Sequence, residues 1–315
     1  MKIVNVNNSC IAYQENFSFT IKDYYDYIVF MIYKVLESNP SIRLNVVIHL
    51  YFTPAQYRFP NNNKTIFMFI NCEHTLVKRG GRDTQNAVGG VIPVIGSAGD
   101  DKYLVRIDNF ALLNYGQVVI EYSNPNIENI RSCGIFTEFA RKLMYVAPLL
   151  YSLHTSKENR TINCLTTFIN TSQPRRKALL EEIKRRNIDH TNVSNCFSRD
   201  EIIKLYKNTR IMCNIHQTDD HHTFEELRVL PALSCGVIVV CETSPLNELI
   251  PYHNYVIWAD YDKILDTVEE VQRNYNQYYD KIFGDENKIQ KLYKKIEKEN
   301  ITNIEHKLRD VFTVF

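Results

Sequence analysis

RIMCNIHQTDDHHTFEELRVLPALSCGVIVVCETSPLNELIPY, residues 210–252, is the stretch whose reading decides the fold. IMCNIH (211–216) is a short apolar run suited to a buried strand, and GVIVVCE (236–242) is a second, richer in β-branched residues. A helix is expected between them. Thr223 followed three residues later by Glu226 fits a capping box. Leu227, Leu230, Ala232 and Leu233 supply an apolar side, and Gly236 falls just past the end, where a left-handed residue closes many helices. Strand, loop and helix at the carboxyl edge of a parallel sheet leave a helix N-terminus and a carboxylate facing the loop, a setting that suits a nucleotide.

Working outward, the second half keeps this alternation. TINCLTTFIN (161–170) reads as a strand, 174–187 as a helix opened by Pro174, 193–197 as a weak strand, and 198–208 as a helix with Ser198 and Glu201 as a capping box. Residues 255–279 read as a strand and an amphipathic helix. Strands alternating with helices imply a parallel sheet covered on both faces. In the first half, 44–52, 65–71, 91–96, 103–107 and 117–123 read as strands, and 21–40 has helical spacing that ends before Pro40. The implied organisation is an α/β domain over 1–145, a nucleotide-binding α/β domain over 146–283, and a helical tail over 284–315 that packs back on the first domain.

Bulk properties bound the rest. A chain of 315 residues exceeds the size at which one core usually stops growing. With 37 Lys plus Arg against 36 Asp plus Glu, no basic excess calls for nucleic acid. Eight cysteines show no CxxC pair, so reduced thiols and a cytoplasmic setting are expected. The N-terminus has no signal-peptide pattern, and the longest apolar stretch, 27–36, is too short to span a bilayer.

The segment NIHQ…FEELRVLPALSCGVIVVCE is similar to the donor-binding domain of GT-B glycosyltransferases, above all the compact ones of large DNA viruses and bacteria. The shared features are a strand ending in Asn-x-His (Asn214–His216), a Glu-x-x-Arg helix (Glu225–Arg228) and Val-Val-x-Glu (Val239–Glu242). The likeness runs from about Lys142 to Tyr261; before that it is carried by element order, NCEH (71–74) and EYSNPN (121–126). The resemblance implies two Rossmann-like domains facing across a cleft. It also implies a nucleoside-diphosphate sugar held mainly by the second domain, a glycan acceptor, and no obligatory metal or other cofactor.

Candidate donor-binding residues are Asn170, Ser172, Arg175, His216, Thr223, Glu225, Arg228 and Glu242. The resemblance gives Glu225 the ribose hydroxyls; the plain alternative is a carboxylate complementing the helix dipole. Arg228, one turn on, can orient Glu225 or reach a phosphate. Arg175, with Arg176 beside it, opens a helix where amides and a guanidinium suit a leaving diphosphate. His216, Asp219, Asp220, His221 and His222 invite a metal reading, but their spacing matches no regular ligand set. Glu73, His74 and Asp83 are the candidate general bases of the first domain, with Asn71 and Tyr122 as acceptor contacts. A hexosyl-, deoxyhexosyl- or pentosyltransferase is the expected activity. A nucleotide-sugar epimerase, a non-catalytic sugar-binding module and a metal-dependent hydrolase are the rivals.

Overall fold

The computed structural model describes residues 2–15, 21–50, 57–73, 75–81, 91–92, 103–196 and 198–313. The chain is a mixed α/β protein in two units: Met1–Pro148 with Ile296–Phe315, and Leu149–Lys295. The division therefore falls after Pro148, where the sequence pointed to 145, and the tail is not a third part but is shared between the units.

The first unit runs β1 (Lys2–Val6), β2 (Ser9–Tyr13), α1 (Lys22–Ser38), β3 (Leu44–His49), β4 (Lys64–Asn71), β5 (Leu76–Lys78), β6 (Val91–Ile92), β7 (Tyr103–Val105), α2 (Phe110–Tyr115), β8 (Val118–Glu121), α3 (Asn124–Ser132), α4 (Thr137–Ala140) and β9 (Leu143–Tyr145). Its main sheet has the order β1-β2-β3-β4-β8-β9. Only the β1–β2 hairpin is antiparallel. Strands β3 and β8 are buried along their whole lengths, as expected of parallel strands covered on both faces. Helix α1 buries Tyr24, Ile28, Met31, Ile32, Val35 and Leu36, the spacing read from the sequence. The Asn39 amide closes it by donating to the Val35 carbonyl at 2.9 Å. A separate small antiparallel sheet, β5-β7-β6, is inserted between β4 and β8.

The second unit runs β10 (Ile162–Thr166), α5 (Pro174–Arg185), β11 (Thr191–Asn192), α6 (Arg199–Lys207), β12 (Thr209–Asn214), α7 (Glu226–Ser234), β13 (Ile238–Glu242), β14 (Ile257–Ala259), α8 (Ile264–Arg273) and α9 (Tyr275–Phe283). Helix α10 (Glu286–Thr313) begins here and ends in the first unit. The sheet is wholly parallel, in the order β11-β10-β12-β13-β14. From β10 the chain goes one way to β11, then returns to the other side for β12. Because such crossovers are right-handed, α5 and α7 lie on opposite faces, and a crevice opens where the carboxyl ends of β10 and β12 diverge. The strand expected at 193–197 lies instead at 191–192, because the Asn192 side chain accepts from the Thr166 hydroxyl (2.8 Å) and the Phe168 amide (3.0 Å).

At the amino edge of this sheet, Arg160 is buried and its guanidinium saturates backbone carbonyls. It donates to Ser156 twice (3.0 and 2.7 Å), to Tyr206 (3.1 Å), Thr209 (2.6 Å) and Cys235 (2.7 Å). Two of those carbonyls lie at the carboxyl ends of α6 and α7, where a cation is favoured by the helix dipole. Gly236 closes α7 at φ +73°, with its N–H on Leu233 and that of Val237 on Ala232.

The part of α10 in the first unit covers the outer edge of β9. Lys307 donates to the Arg141 carbonyl (2.5 Å), Asn303 to Tyr145 (3.1 Å), and Asn300 both donates to and accepts from Ala147 (2.9 Å each). Positions 300, 303 and 307 form one stripe of the helix.

A methyl group at Gly236 would lie 2.5 Å from the His154 carbonyl and 2.6 Å from the Arg160 guanidinium, besides demanding a left-handed alanine. Gly236→Ala is expected to cost roughly 3 kcal/mol, combining left-handed strain with a weakened charge-assisted bond. Urea unfolding measures this, and an unchanged midpoint would mean that the Arg160 site yields without cost.

Candidate functional site

The carboxyl edge of the second sheet gathers most of the singled-out residues. Arg175, in the first turn of α5, grips Glu242 at the end of β13 as a fork: Nη1 and Nη2 donate to Oε2 and Oε1 at 2.5 Å each. Its Nε lies 2.6 Å from an Asp219 carboxylate oxygen, and its plane rests 3.8 Å from the centre of the Tyr261 ring. The Tyr261 hydroxyl donates to the Arg175 carbonyl (2.9 Å), so that the helix start is pinned from two sides. Burial raises the Glu242 pKa, but the Arg175 bonds and the nearby His216 outweigh it and leave the carboxyl below its ordinary value. Burial likewise opposes the Arg175 charge, and Glu242 more than restores it.

His216 follows β12. Its backbone N–H donates to Glu242 Oε2 at 2.9 Å, and its ring stacks on His222 at 5.1 Å. Burial first, and then the neighbouring His216, bring the His222 pKa down to about 4. Thus Glu242 joins α5, β12 and β13 through one carboxylate.

Glu225 and Arg228 form a second pair, 2.5 Å apart, and Arg228 also donates to the Asn214 side chain at 2.8 Å. The helix departs here from the sequence reading. Glu225, not Thr223, is the N-cap of α7. The buried Glu226 carboxylate accepts from the Tyr252 hydroxyl at 2.9 Å, a partner far along the chain that local spacing cannot reveal. Thr223 is buried beside this turn. Asn170 and Ser172 are exposed in the loop before α5, where the Asn170 side chain accepts from the Ser172 amide (3.2 Å) and hydroxyl (2.7 Å).

Sequence reasoning preferred Arg175 and passed over Arg176 as a site residue. In the structure Arg175 is fully engaged. Arg176 is buried at 4% exposure, packs over the Phe168 ring at 4.7 Å, and has no ion pair or side-chain hydrogen bond among the described residues. Burial, with Arg228 adding and Glu225 opposing, lowers its pKa to about 10. Three guanidinium groups and the starts of α5 and α7 therefore surround the crevice, and neither helix receives a side-chain cap from its N-cap residue. Such a cluster attracts a polyanion. Among the described residues no three His, Cys, Asp or Glu side chains gather as metal ligands. Asp219 is instead committed to Arg175, and His216 to His222.

In the first unit, Glu73 is half-buried after β4, its N–H 3.5 Å from the Asn71 side chain; His74 and Asp83 lie outside the described residues. The notable group there is one not proposed as a site residue, Glu121, at the end of β8. It is fully buried and accepts from the Asn71 amide (2.7 Å), the Ser123 N–H (3.2 Å) and the Asn126 amide (3.0 Å). Burial pushes its pKa up to about 8, with those donors pulling the other way. The signal in the sequence was the EYSNPN run itself, a carboxylate followed by amide side chains at a strand end.

No family model matches the chain. An uncharacterized protein of Acanthamoeba polyphaga mimivirus is 30% identical over 196 residues, 58% of this chain and 66% of that protein. Among solved structures, the chain is similar to the pneumococcal O-GlcNAc transferase GtfA in complex with UDP and GlcNAc, with TM-score 0.39, 9% identity, and coverage of 78% of this chain and 51% of that one. It is also similar to a trehalose-6-phosphate structure from E. coli bound with UDP-2-fluoro glucose, with TM-score 0.45, 7% identity, and coverage of 92% and 78%. The chain thus spans about half the length of the first of these, and likenesses of this degree carry no argument about activity. No helix among the described residues is long and apolar enough to cross a membrane.

The two units carry opposite pH dependences. Glu121 holds its proton in the folded state well above its ordinary value of 4.5, so its contribution is complete below about 4.5 and is lost as pH rises through about 8. His222 is lowered from 6.5 to about 4, so its contribution is complete above 6.5 and is lost as pH falls toward 4. Between about pH 6.5 and about pH 8, above the range in which His222 titrates, Glu121→Gln is expected to remove a downward slope in urea stability that the unmodified chain shows. Equal slopes in the two proteins would remove Glu121 as a titrating group in this window.

Proposed function

We propose that the second unit binds a nucleoside-diphosphate sugar at the β10/β12 crevice and that the chain is a glycosyltransferase of GT-B architecture, moving the sugar to a hydroxyl of a glycan acceptor. The observation that carries this reading is Arg176, a buried guanidinium in the first turn of α5 that has no ion pair among the described residues and feels the charges of Glu225 and Arg228 at the start of α7. Burying an unpaired cation is costly, and a diphosphate supplies the missing charge.

In this reading Arg176 and Arg228 face the phosphates, and the Glu225 carboxylate, held by Arg228, accepts from the ribose hydroxyls. Glu242 acts through Arg175 and the His216 amide rather than on the donor. Ser172 and Asn170 lie in the loop that leads into the same helix start. During transfer the acceptor oxygen bonds to the anomeric carbon, the bond from that carbon to the diphosphate oxygen breaks, and the guanidinium groups stabilise the departing charge. The acceptor proton passes to a base, for which Glu73, His74 and Asp83 of the first unit are the candidates. In this reading Arg176, Arg228 and the helix N-termini neutralise the phosphates without a metal.

Calorimetric titration with UDP, GDP, dTDP and ADP tests the reading. One of them is expected to bind at one site per chain, and Arg176→Ala and Glu225→Ala are each expected to weaken it by about 10- to 100-fold, the scale of one or two charge-assisted hydrogen bonds. Release of nucleoside diphosphate from the matching nucleotide sugar only when a glycan is present supports transfer. Turnover without acceptor would point to an epimerase, and binding without any turnover to a sugar-nucleotide-binding module. Failure of all four nucleotides to bind would sink the proposal.

A further inference from the structure

In its first turns α10 buries Ile289, Tyr293, Ile296 and Asn300, a spacing that makes one stripe of the helix. A residue two positions further on points about 200° round the axis, to the opposite side. Those positions after Ile289, Tyr293 and Ile296 hold Lys291, Lys295 and Lys298, and Lys294 lies beside them. All four lysines are exposed. The side of α10 turned from the core is therefore lysine for about two turns, roughly 10 Å along the axis.

The neighbouring carboxylates are engaged elsewhere. Glu286 accepts from the Gln290 side-chain amide at 3.0 Å, and Glu297 pairs with Lys34 of α1 at 2.9 Å. Asp285 accepts from the Lys288 N–H (3.1 Å) and faces its ammonium (3.3 Å). Lys291, Lys294 and Lys298 have no ion pair among the described residues. Like charges three and four residues apart on a helix repel one another, and a negatively charged surface relieves that repulsion.

The chemistry of this face selects a lipid surface over a nucleic acid. Lysine is a compact charge on a flexible stem, without the fork that reads a base edge. The one aromatic residue of 286–300, Tyr293, is buried and offers no base a stacking platform. A straight row of point charges matches a plane of headgroups, whose field attracts basic segments without defined contacts.

We propose that this face of α10 docks the chain on an anionic lipid surface through Lys291, Lys294, Lys295 and Lys298. The lysine row lies on α10 alone, and the proposal does not depend on the donor reading.

The full chain is co-sedimented with vesicles of phosphatidylserine and phosphatidylcholine in equal parts and with vesicles of phosphatidylcholine only. Fluorescence anisotropy measures its binding to duplex DNA. Binding to the anionic vesicles is expected to exceed the other two. It is expected to fall away as sodium chloride rises from about 0.1 to about 1 M, where the screening length shrinks from roughly 10 to roughly 3 Å. Each lysine near such a surface contributes about fivefold. The triple variant Lys291→Gln, Lys294→Gln, Lys298→Gln is thus expected to bind about 100-fold more weakly, with an unchanged unfolding midpoint. A control of equal net charge replaces three exposed lysines elsewhere, Lys2→Gln, Lys22→Gln and Lys157→Gln, and is expected to retain binding. Equal weakening in the two variants would assign the effect to net charge and overturn the proposal. Equal binding to neutral vesicles, binding to DNA as tight as to the anionic vesicles, or no binding to vesicles at all would overturn it too.

Discussion

The fork between Arg175 and Glu242 is the constraint on which the second unit's carboxyl edge depends. Glu242 ends the inner strand β13 and is 6% exposed, so without a cation it would be an uncompensated buried charge. Arg175 supplies that cation from across the sheet, and its plane is held flat by Tyr261. The result fixes the first turn of α5 over the ends of β12 and β13. Successive helical residues point about 100° apart, so Arg176 cannot share the fork. It is turned instead onto Phe168, toward Glu225 and Arg228. The structural pair thereby creates the unpaired cation beside it.

The two edges of this sheet are built on contrasting principles. At the amino edge, Arg160 has a carbonyl for each direction its guanidinium faces, and Gly236 is shaped to let it pass. At the carboxyl edge, the N-cap residues of α5 and α7 give no side-chain cap, and Arg176 has no ion pair among the described residues. Full satisfaction at one end and incomplete satisfaction at the other is the expected division between a fold's foundation and a binding surface. The first unit differs: its carboxyl edge is internally bonded around Glu121.

What was legible in the sequence followed from periodicity. Buried parallel strands are nearly continuous apolar runs, so β3, β4, β12 and β13 stood out, as did α1 with its helical spacing and its end before Pro40. Elements that depend on distant partners did not. The short strand β11 is set by the Asn192 side chain, and the buried Glu226 carboxylate beside the start of α7 is bonded to Tyr252, 26 residues on. The choice between Arg175 and Arg176 rests on a strand end 67 residues later, for which helix spacing offers no sign. Glu121 was hidden for a related reason: its titration comes from complete burial, and neighbouring residue types do not report burial.

The coverage of β9 by α10 has a bearing on how the chain is made. The side chains that meet Ala147 and Tyr145 lie 153 and 158 residues further along. As the polypeptide leaves the ribosome, an open strand edge must wait until the whole intervening unit has been synthesised. That interval exposes a template for pairing with other nascent chains, and the brevity of β9, three residues long, limits the hazard.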